Sequence, residues 1–92
     1  MKVIKVGAMW CPACIVTNKY WKELKQKYSN IEFNDLDIDM DEDEVKPLNI
    51  GNTLPVIIIF DDNSKEIKRI IGEKNKDEMD LEIGEVYNEK EL

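Results

Sequence analysis

The sequence predicts a small α/β fold in which helices pack on the faces of a four-stranded mixed sheet. Two observations predict it. Short apolar runs alternate with amphipathic stretches through the first half of the chain, as in a strand–helix–strand unit with parallel strands. The most strand-like segment, Val56–Phe60, is then followed by a turn and a further strand, the pattern of a β-hairpin. The predicted order is β-α-β-α-β-β-α, a minimal three-layer sandwich.

The first half of the chain supplies the parallel pair. Val3–Ala8 is short and mostly apolar, as a buried parallel strand would be. Ala13–Tyr28 predicts an amphipathic helix and Ile31–Asp39 a second strand, which together imply a right-handed crossover. The apolar positions expected on the inner face of this helix are Val16, Tyr20, Trp21, Leu24 and Tyr28.

The second half predicts a weaker helix, the hairpin and a final helix. Asp41–Leu48 begins with acidic residues that suit a helix N-terminus, but Pro47 limits its length. Gly51–Thr53 is a predicted turn before the strand Val56–Phe60. The hairpin turn and its second strand are expected at Asp61–Ser64 and Glu66–Ile71, with Gly72 ending that strand.

The last helix is predicted from a capping signal and an apolar face. Asn75 and Glu78 form a capping-box-like start, in which each side chain accepts a hydrogen bond from the other residue's backbone N–H. The apolar face expected to pack on the sheet comprises Met79, Ile83, Val86 and Tyr87.

Length and charge limit the classes of function. With 92 residues the chain is expected to be one domain, residues 1–92. A net charge of −7 argues against nucleic acid and anionic membranes as partners, because both need a basic surface. The longest apolar run, Leu54–Phe60, is too short to cross a bilayer, and the N-terminus does not resemble a signal peptide. We therefore expect a cytoplasmic monomer.

The only two cysteines, Cys11 and Cys14, stand between the first strand and the first helix. The free N–H groups and the dipole at a helix N-terminus stabilise an anion, so Cys11 is expected to titrate below the ordinary thiol value of about 8.5 and to be nucleophilic. Side chains at i and i+3 of a helix lie about 5–6 Å apart, close enough for a small adjustment to form a disulfide. A catalytic role further requires that Cys11 does not lie deep inside the fold.

Two other interpretations of the cysteine pair remain open from the residues alone. A structural disulfide would close a loop of a few residues and add little stability. Half of a zinc site would need two more ligands, and the chain contains no histidine. A redox-active dithiol fits the strand-to-helix position best, because cytosolic disulfides are usually transient and catalytic.

Four features in the right order resemble the thioredoxin superfamily over nearly the whole chain. Trp10-Cys11-Pro12-Ala13-Cys14 is similar to the family's active site, and Leu36–Asp39 to the end of its next parallel strand. Thr53-Leu54-Pro55 resembles the segment that carries the family's cis-proline, and Gly72 matches a glycine common before its last helix. The family's extra leading strand and helix are missing, so the size is nearer to that of a glutaredoxin.

The resemblance implies a thiol–disulfide oxidoreductase. Cys11 would attack a protein disulfide and Cys14 would resolve the mixed disulfide, with no cofactor beyond this redox-active pair. The resemblance also favours a cis Leu54–Pro55 bond, which would bring the Leu54 backbone beside the thiols to pair with an extended substrate. The implied substrate-binding residues are Trp10, Thr53, Leu54 and Pro55, with Met9 as an addition to the apolar docking surface.

One departure from the family concerns two charges. Thioredoxins carry a buried acid six residues before the first cysteine, paired with a lysine on the neighbouring strand, whereas the matching positions here hold Lys5 and Asp35. We hypothesise that Lys5 and Asp35 form a partly buried ion pair that modulates the thiols beneath the active site. The alternative is that both are merely exposed at strand ends.

The implied partners are disulfide-bearing proteins and a reductase such as a flavin-dependent thioredoxin reductase. A first alternative function is that of a glutathione-dependent glutaredoxin, although Glu73 after Gly72 would repel an anionic tripeptide. A second alternative is a non-catalytic metal or iron–sulfur carrier that uses Cys11 in a dimer.

Overall fold

The computed structural model describes residues 1–91, with side chains described through Asn88, so Leu92 of the predicted domain lies outside the described residues. The element order agrees with the prediction. The strands are β1 (Lys2–Gly7), β2 (Glu32–Asp37), β3 (Val56–Phe60) and β4 (Glu66–Ile71). The helices are α1 (Pro12–Lys27), α2 (Glu42–Val45) and α3 (Lys76–Glu91), and α2 continues into a 3-10 turn, Lys46–Leu48.

The four strands form one mixed sheet in the order β2-β1-β3-β4, as the predicted fold class requires. β1 pairs in parallel with β2 and antiparallel with β3, and β3 pairs antiparallel with β4. In this register Lys5 stands between Asp35 on β2 and Ile57 on β3. The carboxyl end of β1 therefore leads directly from the centre of the sheet into the cysteine segment.

Successive side chains of the central strands point to opposite faces of the sheet, so the core is divided into two clusters. On one face, Val3, Ile57 and Ile59 pack with the buried side chains of α1 and α3. On the other face, Ile4, Val6, Val56 and Ile58 pack with Val45 of α2 and with both cysteines. The cysteines, at the head of α1, thus pack into the smaller cluster.

The buried face of α1 is rotated slightly from the predicted one. Val16 is 39% exposed, so its place in the predicted apolar stripe is wrong, whereas Thr17 is fully buried. The Thr17 hydroxyl donates to the carbonyl of Ala13 at 3.0 Å, which satisfies its polar atom inside the protein. The other predicted inner residues of this helix, Tyr20, Trp21, Leu24 and Tyr28, are buried as expected.

Two predicted elements are shorter in the structure. β2 ends at Asp37, because its carboxylate accepts the N–H groups of Asp39 and Met40, at 2.8 and 3.0 Å, and turns the chain. The predicted helix after it is a four-residue α-helix followed by the 3-10 turn that contains Pro47. Both deviations come from local side-chain and proline chemistry.

The final helix begins as predicted. The Asn75 side chain accepts the N–H of Glu78 at 2.8 Å, and the Glu78 carboxylate accepts the N–H of Asn75 at 3.4 Å, which completes a capping box. Met79, Ile83 and Val86 of α3 are buried against the sheet, and Tyr87 packs at its margin. Within residues 1–91, none of the helices has the length and apolar character needed to cross a membrane.

Candidate functional site

Cys11 is the N-cap residue of α1. Its backbone is extended (φ −93°, ψ 111°), and Pro12 supplies the first helical residue. The Cys14 N–H donates to Cys11 Sγ at 3.2 Å, so the sulfur takes the place that a serine or aspartate oxygen usually holds at a helix start. No acidic residue stands in the first turn of α1. The positive end of this helix therefore faces the Cys11 sulfur without a competing carboxylate of its own.

A second backbone group meets the same sulfur. The peptide bond between Leu54 and Pro55 is cis, as the resemblance favoured. The Leu54 carbonyl oxygen lies 3.8 Å from Cys11 Sγ and accepts the thiol hydrogen. The Pro55 carbonyl accepts the N–H of Gly72 at 2.9 Å, and Gly72 itself adopts φ +91°, a conformation that favours glycine. The segment before β3 thus contacts both the Cys11 thiol at the head of α1 and the end of β4.

Both cysteines are free thiols with little exposed surface. Cys11 is 5% exposed and Cys14 is 4% exposed. Cys11 nevertheless lies at the margin of the fold, because the two residues before it, Met9 and Trp10, are 80% and 65% exposed. The exposed side chains next to Cys11 in the chain are therefore those of Met9 and Trp10.

Two of the residues predicted for the docking surface have buried side chains. Leu54 is 9% exposed and Pro55 is fully buried, because both pack into the core around the thiols. Trp10 is exposed as expected, and its indole N–H donates to Asp39 at 2.8 Å, which orients the ring. Thr53 is exposed next to Gly72. The apolar surface beside Cys11 therefore consists of Met9 and Trp10, while Leu54 contributes its backbone.

Cys14 lies against β1. Burial, together with the hydrogen bond to Cys11, raises the pKa of Cys14 to about 11. A Cβ atom at Gly7 would stand 3.2 Å from Cys14 Sγ, so only glycine leaves room for this sulfur without displacement. Sequence reasoning missed Gly7. Its position at the end of the strand that precedes the cysteines was the one available signal.

The predicted direct ion pair between Lys5 and Asp35 is wrong for the described side chains. Asp35 pairs instead with Lys25 at 2.7 Å and accepts the indole N–H of Trp21 at 3.1 Å. Lys5 donates to Asn18 and lies 5.4 Å from the centre of the Trp21 ring. α1 supplies all four of these contacts, so its side chains come between the two strand neighbours. The alternative that both residues are exposed also fails for Lys5, which is 8% exposed.

Lys5 and Cys14 line the same open cleft, which has a volume of about 540 Å³. Lys25, Asp35 and Pro55 also line this cleft. Burial lowers the pKa of Lys5 below its ordinary value, and the nearby Asp35 charge opposes that effect. Across the side chains that the structure describes, no three His, Cys, Asp or Glu residues are grouped so that they could hold a metal ion.

Comparisons with known proteins agree with this geometry. Residues 1–85 match the Thioredoxin family. Thioredoxin H2 from Arabidopsis thaliana is 30% identical over 84 residues, which cover 91% of this chain and 61% of that protein. Thioredoxin Asp f 28 from Aspergillus fumigatus is 30% identical over 70 residues, 76% of this chain and 64% of its own length. The chain thus spans somewhat less than two thirds of the length of these curated relatives.

Solved structures share the architecture. Thioredoxin 1 from Thermosipho africanus superposes with a TM-score of 0.84 over the full length of both chains at 17% identity, which shows the fold alone. Oxidised mitochondrial thioredoxin 3 from Saccharomyces cerevisiae gives a TM-score of 0.70 at 28% identity, over 77% of this chain and 65% of that one. With a dithiol at a helix start, a cis-proline segment facing it and a family match over most of its length, the chain belongs to the thioredoxin family.

Proposed function

We propose that this protein is a thiol–disulfide oxidoreductase that reduces protein disulfides through the Cys11–Cys14 pair. The observation that carries the proposal is the position of Cys11 Sγ: it caps α1, accepts the Cys14 N–H at 3.2 Å and stands beside exposed Trp10. A sulfur in this position is well placed to react as a thiolate, because a helix N-terminus favours an anion.

The reaction divides between the two sulfurs. The Cys11 thiolate attacks one sulfur of the target disulfide, which forms a mixed disulfide and releases the other target sulfur as a thiolate. Cys14 then loses its proton and attacks Cys11 Sγ, which closes the Cys11–Cys14 disulfide and releases the second target thiolate. Two electrons pass from the pair to the target, and the released thiolates take up protons from water. The high pKa of Cys14 suits the second role, because a protonated Cys14 does not compete with Cys11 for the target.

Docking would use backbone groups and Trp10. The Leu54 carbonyl already faces Cys11 Sγ, so an extended target segment that replaces this contact can pair with the Leu54 backbone as an added strand would. Exposed Thr53 flanks that segment, and Trp10 and Met9 offer apolar area on the other side. Such backbone pairing tolerates many target sequences.

The proposed partners follow from the same chemistry. Targets would be disulfide-bearing proteins, and a flavin-dependent thioredoxin reductase would return electrons to the oxidised pair. We propose that the chain works as a monomeric single domain in the cytoplasm, with the Cys11–Cys14 pair as its only redox group.

Insulin reduction with dithiothreitol tests the proposal. We expect the wild-type protein to accelerate the reaction and Cys11→Ser to abolish the acceleration. Incubated with insulin in the absence of reductant, Cys14→Ser should retain the first attack and accumulate a mixed disulfide with insulin, which mass spectrometry detects and added dithiothreitol releases. Absence of catalysis by folded wild-type protein would refute the proposal.

The same purified protein distinguishes the proposed function from the two alternatives, a glutathione-dependent glutaredoxin and a metal or iron–sulfur carrier. Turnover that requires glutathione would favour a glutaredoxin, and visible absorbance that Cys11→Ser removes would favour a cluster carrier. Our proposal expects a colourless protein that works with dithiothreitol alone.

A further inference from the structure

Lys5 occupies a place in the fold where an apolar residue is expected. It lies on β1 two residues after fully buried Val3, so both side chains project to the α1 face of the sheet. Lys5 is 8% exposed, and a buried ammonium group loses much of its hydration free energy. A lysine kept at such a position therefore needs a reason other than packing.

The side chains in direct contact with the Lys5 ammonium are uncharged. Its two neighbours are the neutral amide of Asn18, which accepts a hydrogen bond, and the ring of Trp21 at 5.4 Å. The adjacent carboxylate, Asp35, is already bonded to Lys25 at 2.7 Å. Within the side chains described, Lys5 has no carboxylate within ion-pair distance, so the nearby Asp35 charge offsets the Lys5 charge only in part.

The cleft brings that charge to Cys14. Lys5 and Cys14 both line the 540 Å³ space between β1, β2 and α1. Burial and the hydrogen bond to Cys11 raise the pKa of Cys14 most, the Ala8 backbone lowers it, and the positive charge of Lys5 lowers it by a smaller amount. The other charged or titratable groups that face Lys5 or Cys14, or line this cleft, are Cys11, Lys22, Lys25, Asp35, Asp37 and Asp41.

We propose that Lys5 is a positioning residue for the resolving step, whose ammonium stabilises the Cys14 thiolate as it attacks the mixed disulfide. This inference rests on the proposed function. In the step itself, Cys14 Sγ bonds to Cys11 Sγ, the bond from Cys11 to the target sulfur breaks, and the proton lost by Cys14 passes to water and then to the released thiolate. Lys5 stays charged throughout and transfers no proton.

The inference predicts the direction in which the pH profile of the resolving rate shifts when Lys5 loses its charge. Far below the pKa of Cys14, the thiolate fraction rises tenfold per pH unit, so any change in that pKa moves the whole rate profile along the pH axis. An opposite charge nearby shifts a pKa by about one unit or more. Removing the Lys5 charge is therefore expected to move the resolving profile about one unit to higher pH.

The test uses Ellman's disulfide, which releases one chromophore in each half of the reaction. The first release reports attack by Cys11, and the second reports attack by Cys14 on the mixed disulfide. Lys5→Met should slow the second release about tenfold at pH 7 and leave the first within about threefold. Lys5→Arg keeps the charge but cannot accept a proton, so its second release should stay within about threefold of wild type.

Two further variants sharpen the test. Lys22→Met removes an exposed charge that lines the same cleft and leaves the Lys25–Asp35 pair intact, so we expect less than a threefold change. Asn18→Asp keeps the size of the side chain and puts a carboxylate on the Lys5 ammonium, so it should slow the second release about threefold to tenfold. Asn18→Asp also tests the role of the Lys5 charge if Lys5→Met does not fold.

An unchanged second release in Lys5→Met or in Asn18→Asp would overturn the inference. Equal slowing by Lys5→Met and Lys5→Arg would overturn it too, because charge alone would not then explain the effect. A wild-type protein that releases no second chromophore would refute the proposed function instead, since no internal disulfide would form.

Discussion

Gly7 and Cys14 pack so closely that a single methyl group decides whether both fit. A Cβ atom at Gly7 would stand 3.2 Å from Cys14 Sγ and 3.5 Å from its Cβ. Cys14 has little room to withdraw, because it is 4% exposed within the cluster that includes Val6 and Ile58. The end of β1 therefore fixes the depth at which the resolving sulfur lies below Cys11.

Gly7→Ala tests this contact. The sulfur must shift by a few tenths of an ångström inside a packed core, so we expect the free energy of unfolding to fall by about 1–2 kcal/mol. Urea denaturation under reducing conditions measures it. Gly51→Ala is the matched control, because a Cβ there meets nothing within 4 Å and should change stability by no more than about 0.5 kcal/mol. Equal effects of the two substitutions would contradict the packing described for Cys14.

The raised pKa of Cys14 predicts selective alkylation. At pH 8, three units below a pKa of about 11, only about one Cys14 in a thousand is a thiolate. Iodoacetamide should therefore label Cys11 first, and Cys14 labelling should rise about tenfold per pH unit until the pH approaches 11. Peptide mapping by mass spectrometry with brief labelling separates the two sites. Equal labelling at pH 8 would be inconsistent with the raised pKa of Cys14.

Trp10→Ala is expected to weaken docking of protein targets without impairing the thiols. The ring is 65% exposed and held by Asp39, so it can cover part of a bound protein but matters little for a small disulfide. We predict about a tenfold lower kcat/KM for insulin, equivalent to about 1.4 kcal/mol, and less than a twofold change with Ellman's disulfide.

Leu81→Ala provides the control for Trp10→Ala. Leu81 is similarly exposed, at 64%, but it lies on α3 within a separate surface hollow. It should leave both reactions unchanged. An equal loss with insulin in the two variants, or no loss in Trp10→Ala, would remove Trp10 from the docking surface.

Much of the fold could be predicted from sequence because local patterns agree with the tertiary arrangement. The alternation of strand and helix gave the right order, and the Asn75–Glu78 capping box begins α3 as expected. The exchange of Val16 for Thr17 on the buried face was unpredictable from polarity alone. Thr17 can be buried because its hydroxyl finds a backbone carbonyl one turn earlier, a contact that a hydrophobic pattern does not contain.

The candidate site was predictable where it depends on residues close in sequence. Cys11 at the head of α1 and its contact with Cys14 follow from a three-residue spacing. The hydrogen-bond and ion-pair partners of Lys5 and Asp35 could not be predicted in this way, because several α1 side chains compete for the same two charges. The burial of Leu54 depended on how the segment before β3 packs against the thiols, which no local pattern specifies.

The most direct test of the account is a redox titration of the Cys11–Cys14 pair in dithiothreitol buffers, with free thiols counted by alkylation and mass spectrometry. We predict one reversible two-electron transition with a midpoint between about −180 and −270 mV, the span from protein disulfide isomerase to thioredoxin. The Cys11 and Cys14 thiols should be oxidised at the same potential. A pair that forms no internal disulfide, or two thiols that oxidise independently, would contradict the assignment of Cys11 and Cys14 as a single redox couple.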